Sequence, residues 1–534
     1  MIIDELKYRT LEALGLTPTE EQARAIDTFC RFMTDRREEA VLLMRGSAGT
    51  GKTTLAAAIV RAMLSLQQKL VLMAPTGRAA KVFSLYAGHP AYTIHRRIYR
   101  QKALEGNFDL NFNSQSDTLF IVDEASMIAN DSAANTIFAG GQLLDDLVRF
   151  VYNGRNCRLM LIGDPAQLPP VGEQQSPALE ADVLRAYGLS VYECRLAEVL
   201  RQSQQSGILF NATRIRGERS VNRGTRNEEG GTRSEDRGTS NVLPQIRVDG
   251  FDDVTVVPGD ELIESLASSY SHAGLDETLV VTRSNKRANI YNQGIRNQVL
   301  GREEELCCGD RLMIVKNNYY WIKPTPNLKP TPNPSREEGS SNVLPADFQP
   351  QNILTPLPSG GGGGGFQVGG GFGLTFLANG DMAVVRRVRN VHEQYGFRFA
   401  EVTMTLPDYD DYELTAMVIL DTLRSEAPAL TREQQTVLYN KVMEDYADIP
   451  LKADRLKRLK DDRYYNALQV KFAYAATCHK AQGGQWAHIY IDQGYMTDDM
   501  LTPDYLHWLY TAFTRATEHL YLVNWPKTQV EGRT

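Results

Sequence analysis

Residues 46–54 read Gly-Ser-Ala-Gly-Thr-Gly-Lys-Thr-Thr and fit the pattern G-x-x-x-x-G-K-[ST]. An apolar run, Val41 to Met44, precedes them, and a helix-favouring run, Leu55 to Leu64, follows. Strand, glycine loop and helix in that order form the setting in which this pattern holds phosphate. Glycine tolerates the backbone angles that let consecutive N–H groups close around phosphate oxygens. The helix N-terminus adds partial positive charge. The stretch therefore assigns Gly46, Ser47, Ala48, Gly49, Thr50, Gly51, Lys52, Thr53 and Thr54 to a nucleotide. Lys52 is the residue that reaches the β- and γ-phosphates, and Thr53 is the one that holds Mg²⁺.

The alternation that the loop demands runs on through the chain. Leu70–Ala74, Leu119–Val122 and Leu159–Ile162 read as further strands, and Val280–Thr282, Ile489–Ile491 and Leu520–Val523 continue the theme. Apolar runs of this length between helices suggest parallel strands buried on both faces, which gives an α/β fold with two wound sheets. From Asp310 to about Val470 the pattern changes. Asp381–Val388 and Phe397–Thr405 look like strands of a small antiparallel barrel, and Thr431–Asp462 looks helical, with Thr431 as its N-cap and Glu433 close behind. Two segments are foreign in composition. Residues 217–245 are rich in Arg, Glu, Gly, Ser and Thr; residues 323–373 repeat Lys-Pro-Thr-Pro-Asn and end in a run of glycines, Gly360 to Gly365. Such stretches bury too little apolar surface to offset the entropy of ordering. They share Ser-Asn-Val-Leu-Pro, at 240–244 and 341–345, and read as related polar loops.

A chain of 534 residues is expected to form three or four domains. No run approaches the roughly 18 apolar residues of a membrane span, and the first residues lack the basic-then-apolar layout of a signal peptide. The six cysteines show no C-x-x-C spacing, and Cys307 and Cys308 are adjacent; reduced thiols in a cytoplasm are the expectation. A net charge of −7 speaks against a broad basic coat for nucleic acid, though not against a local basic groove.

Two strand ends supply chemistry beside the phosphate loop. Leu119–Val122 runs into Asp123 and Glu124. Asp123 can bind Mg²⁺ or its water, and Glu124 can act as general base on an attacking water. Ile162 leads into Gly163-Asp-Pro-Ala-Gln-Leu-Pro-Pro-Val-Gly172. Its tight turn would present Asp164 and Gln167 beside the phosphates, with the Gln167 amide sensing the γ-phosphate or water.

With these residues in place the chain resembles a superfamily 1 helicase, and more closely the 5′→3′ branch of RecD-like and Dda-like enzymes. Leu16-Thr-Pro-Thr-Glu-Glu-Gln22 looks like the adenine-reading Q motif, with Gln22 in the reading position. Residues 46–54 look like motif I, Asp123–Ser126 motif II and Gly163–Gly172 motif III. Ala74-Pro-Thr-Gly-Arg-Ala-Ala80 looks like motif Ia, and Thr93-Ile-His95 like a further strand-contacting element. Val199-Leu-Arg-Gln202, Tyr474-Ala-Ala-Thr-Cys-His-Lys-Ala-Gln-Gly483 and Tyr510-Thr-Ala-Phe-Thr-Arg-Ala516 look like motifs IV, V and VI. The resemblance implies that Arg201 and Arg515 are arginine fingers on the γ-phosphate. Guanidinium suits that role because it is always charged and binds bidentately. It also implies that Pro75, Thr76, Arg78, His95, Thr477, His479 and Gln482 meet single-stranded nucleic acid. One departure stands out: Gly484 follows Gln482-Gly483 where many relatives carry Ser or Thr.

The implied architecture is two RecA-like P-loop domains with two small insertions. Domain 1A spans 1–195 and contains a hairpin pin, 1B, at 98–118. Domain 2A comprises 196–309 and 466–534, with the 217–245 insertion. An SH3-like barrel, 2B, spans 310–465 and carries the 323–373 insertion. In the hairpin, Gly106-Asn107 is a turn signal, and Phe108, Leu110 and Phe112 alternate with polar residues. Phe108 near its tip could stack on a base at a fork. The implied activity is ATP- and Mg²⁺-dependent 5′→3′ translocation on single-stranded DNA with unwinding of forked DNA, in repair, recombination or replication. A cytoplasmic monomer is expected, with no membrane and no identified protein partner. RNA remains an alternative substrate, since no residue visibly reads a 2′-hydroxyl. A P-loop ATPase that ignores nucleic acid is the alternative class, distinguished by whether single-stranded DNA stimulates it.

Overall fold

Along Ala40–Gly46, Val41 and Leu43 point to one face and Leu42 and Met44 to the other, and all four are fully buried. Val41 and Leu43 join a core with Phe120, Leu147, Phe150 and Leu161, while Leu42 and Met44 join one with Phe29, Ile59, Phe83 and Ile162. Helices cover both faces, so the strand reads as an unbroken apolar run. The computed structural model that shows this describes residues 2–37, 39–101, 108–130, 142–199, 206–224, 243–322 and 376–531.

The first sheet has six strands, in the order Ala91–Thr93, Lys69–Ala74, Thr118–Val122, Arg158–Gly163, Ala40–Gly46 and Ser190–Leu196. Every pairing is parallel. All C-terminal ends therefore lie along one edge, where ligands of such sheets bind. Because Arg158–Gly163 sits between Ala40–Gly46 and Thr118–Val122, the phosphate loop, the Asp164 turn and the Asp123-Glu124 pair emerge side by side.

A second, five-stranded parallel sheet runs Val254–Val257, Ala516–Val523, Trp486–Asp492, Thr278–Thr282 and Ala475–Thr477. Between strands Thr278–Thr282 and Ala475–Thr477 the chain closes a five-stranded barrel: Arg311–Ile314, Met382–Gln394, Phe397–Leu406, Tyr412–Ile419 and Leu468–Phe472. Register shifts between Met382–Gln394 and Phe397–Leu406 bend the long strand, as bulges do, and help the barrel close. Its last strand pairs antiparallel with the first and parallel with Tyr412–Ile419. That strand lies beyond residue 465, so the barrel extends further along the chain than its composition suggests.

Three other expectations change. Thr431–Asp462 is two helices, Arg432–Asp445 and Lys452–Lys460, and the reciprocal cap partner of Thr431 is Gln434 rather than Glu433. The 217–245 segment does not begin as a loop. The helix Gly207–Gly224 runs into it, anchored by the buried Ile208, Ala212 and Ile215; once nucleated on that apolar face, a helix extends at little cost through polar residues. At the far end Leu243 is buried, and its N–H donates to Asp498. Residues 225–242 and 323–373 lie outside the described residues. Among the described residues no helix is long and apolar enough to cross a membrane, and all six cysteines are free thiols.

Candidate phosphate site and strand-facing surface

The phosphate loop has the conformation its glycines allow. Gly49 and Gly51 adopt φ of 75° and 78°, a region costly for other residues. At Gly46 a Cβ would lie 2.8 Å from Lys52 Cγ, so the lysine stem needs that position bare. Lys52 Nζ donates to Ser47 O at 2.8 Å, and Thr50 Oγ1 donates to the same carbonyl at 2.8 Å. The helix Lys52–Ser65 starts behind Gly51 without a side-chain cap, which leaves its first N–H groups for a ligand. Thr53 is half-buried and Thr54 exposed on its first turn. Gln22 is buried against the loop: its Nε2 donates to Thr50 O at 3.3 Å, while its Oε1 accepts from Thr19 N in a capping box.

Beside the loop, Asp123 Oδ1 accepts the Glu124 N–H at 2.8 Å. Burial and the adjacent Glu124 carboxylate push Asp123 up to about 7, with the Glu124 N–H and the Lys52 ammonium pulling the other way. A carboxylate so raised is short of positive charge, and a divalent cation supplies it; Asp123 with Thr53 thus fits a Mg²⁺ ion. Glu124 itself sits in the left-handed region, φ 53° and ψ 37°, a strained setting for a non-glycine that recurs at functional sites.

The Gly163–Leu168 turn is stitched to the second sheet's helix Pro503–Phe513. Asp164 is fully buried; its Oδ1 accepts Ala166 N–H, and its Oδ2 accepts the Tyr510 hydroxyl at 2.6 Å. The Tyr510 oxygen in turn accepts the N–H of Ala48, within the phosphate loop, at 2.9 Å. Thr511 Oγ1 accepts Leu168 N–H at 2.7 Å, and His507 Nδ1 lies 2.7 Å from Gln167 O. Gln167 is buried, and its Oε1 has no hydrogen-bond partner among the described residues, an acceptor awaiting a donor. Sequence reasoning placed Asp164 and Gln167 here but gave no role to His507, Tyr510 or Thr511. Their positions within the motif VI stretch and the helix before it were the only signal.

The two arginines that the resemblance implies as fingers fare differently. Arg201 lies outside the described residues. Arg515 is 2% exposed, and its donors go to Thr511 O at 3.1 Å, Gly484 O at 3.0 Å and Thr514 Oγ1 at 3.2 Å, all within the second sheet's own layer. The guanidinium that does reach the phosphate loop is Arg216, whose Nη1 donates to Ser47 Oγ.

Of the motif Ia residues, Pro75 and Thr76 connect strand Lys69–Ala74 to helix Gly77–Ala87, and Arg78 stands on that helix's first turn. Thr76 caps that helix through Ala79 N–H at 3.2 Å. Arg78 reaches across to the second sheet: Nη2 donates to Gln485 O at 2.7 Å, and the guanidinium lies 4.2 Å from the Trp486 ring centroid. This stack explains Gly484. A Cβ there would fall 2.5 Å from the Trp486 ring and 3.0 Å from Arg78 Cδ, so a Ser or Thr has no room. At Gly483, with φ 77°, a Cβ would lie 3.1 Å from Thr76 Oγ1. Thr477 ends its strand and His479 is exposed on the short helix Cys478–Ala481. Gln482, by contrast, is buried and donates Nε2 to Leu168 O at 2.9 Å, so its amide serves the inter-sheet contact. Burial pushes His95 down to about 4, so its imidazole is neutral at pH 7; its ring lies 5.7 Å from that of Tyr99. Lys480, which sequence reading passed over, carries a buried ammonium with no partner among the described residues, pushed down to about 8 by burial and by Lys471.

The barrel meets the same face. Lys81 Nζ donates to Pro407 O at 2.8 Å, and a Cβ on Gly77 would lie 2.4 Å from Asp381 Oδ1 and 2.8 Å from the Tyr409 hydroxyl. The hairpin pairs Tyr99–Gln101 with Phe108–Leu110, antiparallel. Its tip, 102–107, and the Phe108 side chain lie outside the described residues.

Residues 17–224 match the AAA domain family, and residues 472–523 match the UvrD-like helicase C-terminal domain. Over 192 residues the chain is 30% identical to the ATP-dependent RecD2 DNA helicase of Deinococcus radiodurans, covering 36% of this chain and 23% of that one. Over 303 residues it is 25% identical to the ATP-dependent DNA helicase dda of Enterobacteria phage T4, covering 55% and 60%. The chain is thus similar, over part of its length, to RecD-like and Dda-like helicases. It spans less than two thirds of the length of either of these helicase relatives. A Pif1 helicase from Bacteroides, solved with ADP-AlF3 and single-stranded DNA, aligns over 96% of this chain and 94% of its own, at 14% identity and a TM-score of 0.43.

Proposed function

We propose that this chain is an ATP-dependent 5′→3′ DNA helicase that translocates on single-stranded DNA and unwinds forked duplexes. The two parallel sheets act as RecA-like domains 1A and 2A, the hairpin as pin 1B and the barrel as SH3-like 2B. The observation that carries the reading is the Gly163–Leu168 turn. Through Asp164 and Tyr510 it is bonded to Ala48 of the phosphate loop, and through Leu168 to Gln482 of motif V. A single rigid turn thus joins the nucleotide loop to the face assigned to the strand, which is the coupling a translocase needs.

In this reading Lys52 and the loop amides hold the triphosphate of ATP. Thr53 and Asp123 hold Mg²⁺, which supplies charge stabilisation of the transferring phosphoryl group. Glu124 takes the proton of the attacking water, and the unpaired Oε1 of Gln167 accepts a hydrogen bond from that water. Arg515 and Arg201 answer the developing γ-phosphate charge when the sheets close. Thr76, Thr477, His479 and Lys480 line the path of the strand. The polarity follows from family resemblance.

The test is strand displacement on matched 5′- and 3′-tailed duplexes of DNA and RNA, with ATPase measured with and without single-stranded DNA. Unwinding restricted to 5′-tailed DNA, with strand-stimulated ATPase, supports the reading. Preference for RNA tails would reassign the substrate, and ATPase indifferent to any strand would make the chain a P-loop ATPase of another class.

A further inference from the structure

We propose that Arg216 is a γ-phosphate ligand of the nucleotide site, a guanidinium from the second sheet's side that distinguishes ATP from ADP. The proposal rests on the ATPase reading above and names a residue that reading does not use.

Arg216 lies on the helix Gly207–Gly224, and its Nη1 donates to Ser47 Oγ in the phosphate loop, 169 residues away in sequence. The helix is seated on that loop: Leu209 carbons lie 3.3 and 3.4 Å from where a Cβ on Gly49 would be. One residue along, the Tyr510 hydroxyl takes the Ala48 N–H, and Lys52 Nζ sits on Ser47 O. A guanidinium and an ammonium therefore converge on the same residue, Ser47. Among the described residues no carboxylate forms an ion pair with Arg216; the nearby Asp164 is engaged by Tyr510. Two half-buried cations brought together without an anion repel each other. An anionic ligand between them reverses the sign, and a guanidinium is suited to phosphate oxygens by its planar fork. Lysine in this loop reaches the β- and γ-phosphates. A cation that meets the loop from the opposing sheet approaches from the outer end of the triphosphate, where only the γ-phosphate stands. In this arrangement Arg515 spends its donors on Thr511, Gly484 and Thr514, and Arg216 is the guanidinium that already meets the phosphate loop before the sheets close further.

The experiment compares the full chain with Arg216→Ala, Arg216→Lys and Lys52→Ala. It measures affinity for a non-hydrolysable ATP analogue and for ADP, each with Mg²⁺, and ATP turnover. Arg216→Ala should weaken the ATP analogue about tenfold or more, as loss of a charge-assisted phosphate contact does, while ADP changes less than about twofold. Turnover should fall by at least about 10²-fold, near the range for a lost arginine contact. Arg216→Lys should recover part of the affinity and little of the turnover, because it keeps the charge but loses the fork. If Arg216→Ala weakens both nucleotides alike, or neither, the residue only seats its helix and the proposal fails while the ATPase reading stands. Lys52→Ala should weaken both nucleotides. If the parent itself neither binds nor hydrolyses ATP, the reading falls and takes Arg216 with it.

Discussion

Strand Ala40–Gly46 of the first sheet takes residues 47–51 to reach its helix, whereas strand Thr278–Thr282 of the second needs only 283–284. In the first case the helix begins at Gly51, in the left-handed region, with no side chain on its N-terminal N–H groups. In the second, Ser284 caps the helix Asn285–Gly294 by accepting from Arg287 N at 3.2 Å. Both sheets are parallel and buried on both faces, and the same strand-to-helix step occurs in each. What differs is the state of the helix donors: left open, as a ligand site requires, in the first sheet, and satisfied by the protein's own hydroxyl in the second. The second sheet cannot hold phosphate at that point. It contributes side chains instead, Tyr510 onto Ala48 and the helix bearing Arg216 onto Ser47. The difference between the two sheets is thus a division of labour between open backbone donors and side chains around one site.

The sharpest test of that division is Lys52→Ala. Removing the loop's fixed cation should abolish ATP turnover, read by phosphate release; activity within threefold of the parent would mean the first sheet is not the phosphate-holding one. Next in size is Arg515→Ala. Turnover should drop by roughly 10³-fold or more if the second sheet supplies finger charge on closure. A variant that turns over normally but unfolds at lower urea would make Arg515 a strut for Gly484 O and Thr511 O. The appendages should divide likewise. If the hairpin is the proposed pin, shortening residues 101–112 to a tight turn should cut duplex unwinding at least about tenfold while sparing strand-stimulated ATPase, since two strands alone are marginal and contribute little to the core. Unwinding at the parental rate would move strand separation to another element, the barrel first.

A smaller effect concerns the barrel's contact with the first sheet. Burial raises Asp381 to about 7, with Asp408 adding to the rise, while the Ala378 N–H and Tyr409 hydroxyl oppose it. A carboxyl raised in the fold contributes stability below its unfolded value near 3.9 and loses it as pH rises through 7. Asp381→Asn should therefore match the parent near pH 4 and exceed it by a few kcal/mol at pH 8; urea midpoints that differ equally at both pH values would remove the titration from the account. Smallest is Ser284→Ala, expected to cost about 1 kcal/mol of stability as cap removal does, with turnover unchanged. A large loss of turnover there would break the contrast between the two helix starts.

Much of this fold is legible because parallel strands buried on both faces leave unbroken apolar runs, as in Val41–Met44, Leu119–Val122 and Leu159–Ile162. Ser190–Leu196 left no such run. It is an edge strand with Glu193 and Arg195 exposed among its residues, and edge exposure erases the pattern that reveals interior strands. Ala475–Thr477 is too short to register, and Leu468–Phe472 is assigned to the barrel only by its partners, Arg311–Ile314 and Tyr412–Ile419. The site divides the same way. The phosphate-loop glycines and the Asp123-Glu124 pair announce themselves because local geometry requires those residue types. Gln482 and Arg78 carry the chemistry to bind a strand, yet here they serve contacts between the sheets, to Leu168 and to Gln485 and Trp486.

By itself, then, the order of residues determined whatever depends on neighbours in the chain: which turn takes positive φ, which helix start is capped and which is left open, and which strands are apolar on both faces. Tertiary structure alone decided the pairs Ala48–Tyr510, Ser47–Arg216 and Leu168–Gln482, and the stack of Arg78 on Trp486 that excludes a side chain at Gly484. Those pairs join residues more than a hundred and sixty positions apart. No periodicity links such positions, and a hydrogen-bonding side chain does not declare its partner until the packing of two sheets brings one within about 3 Å.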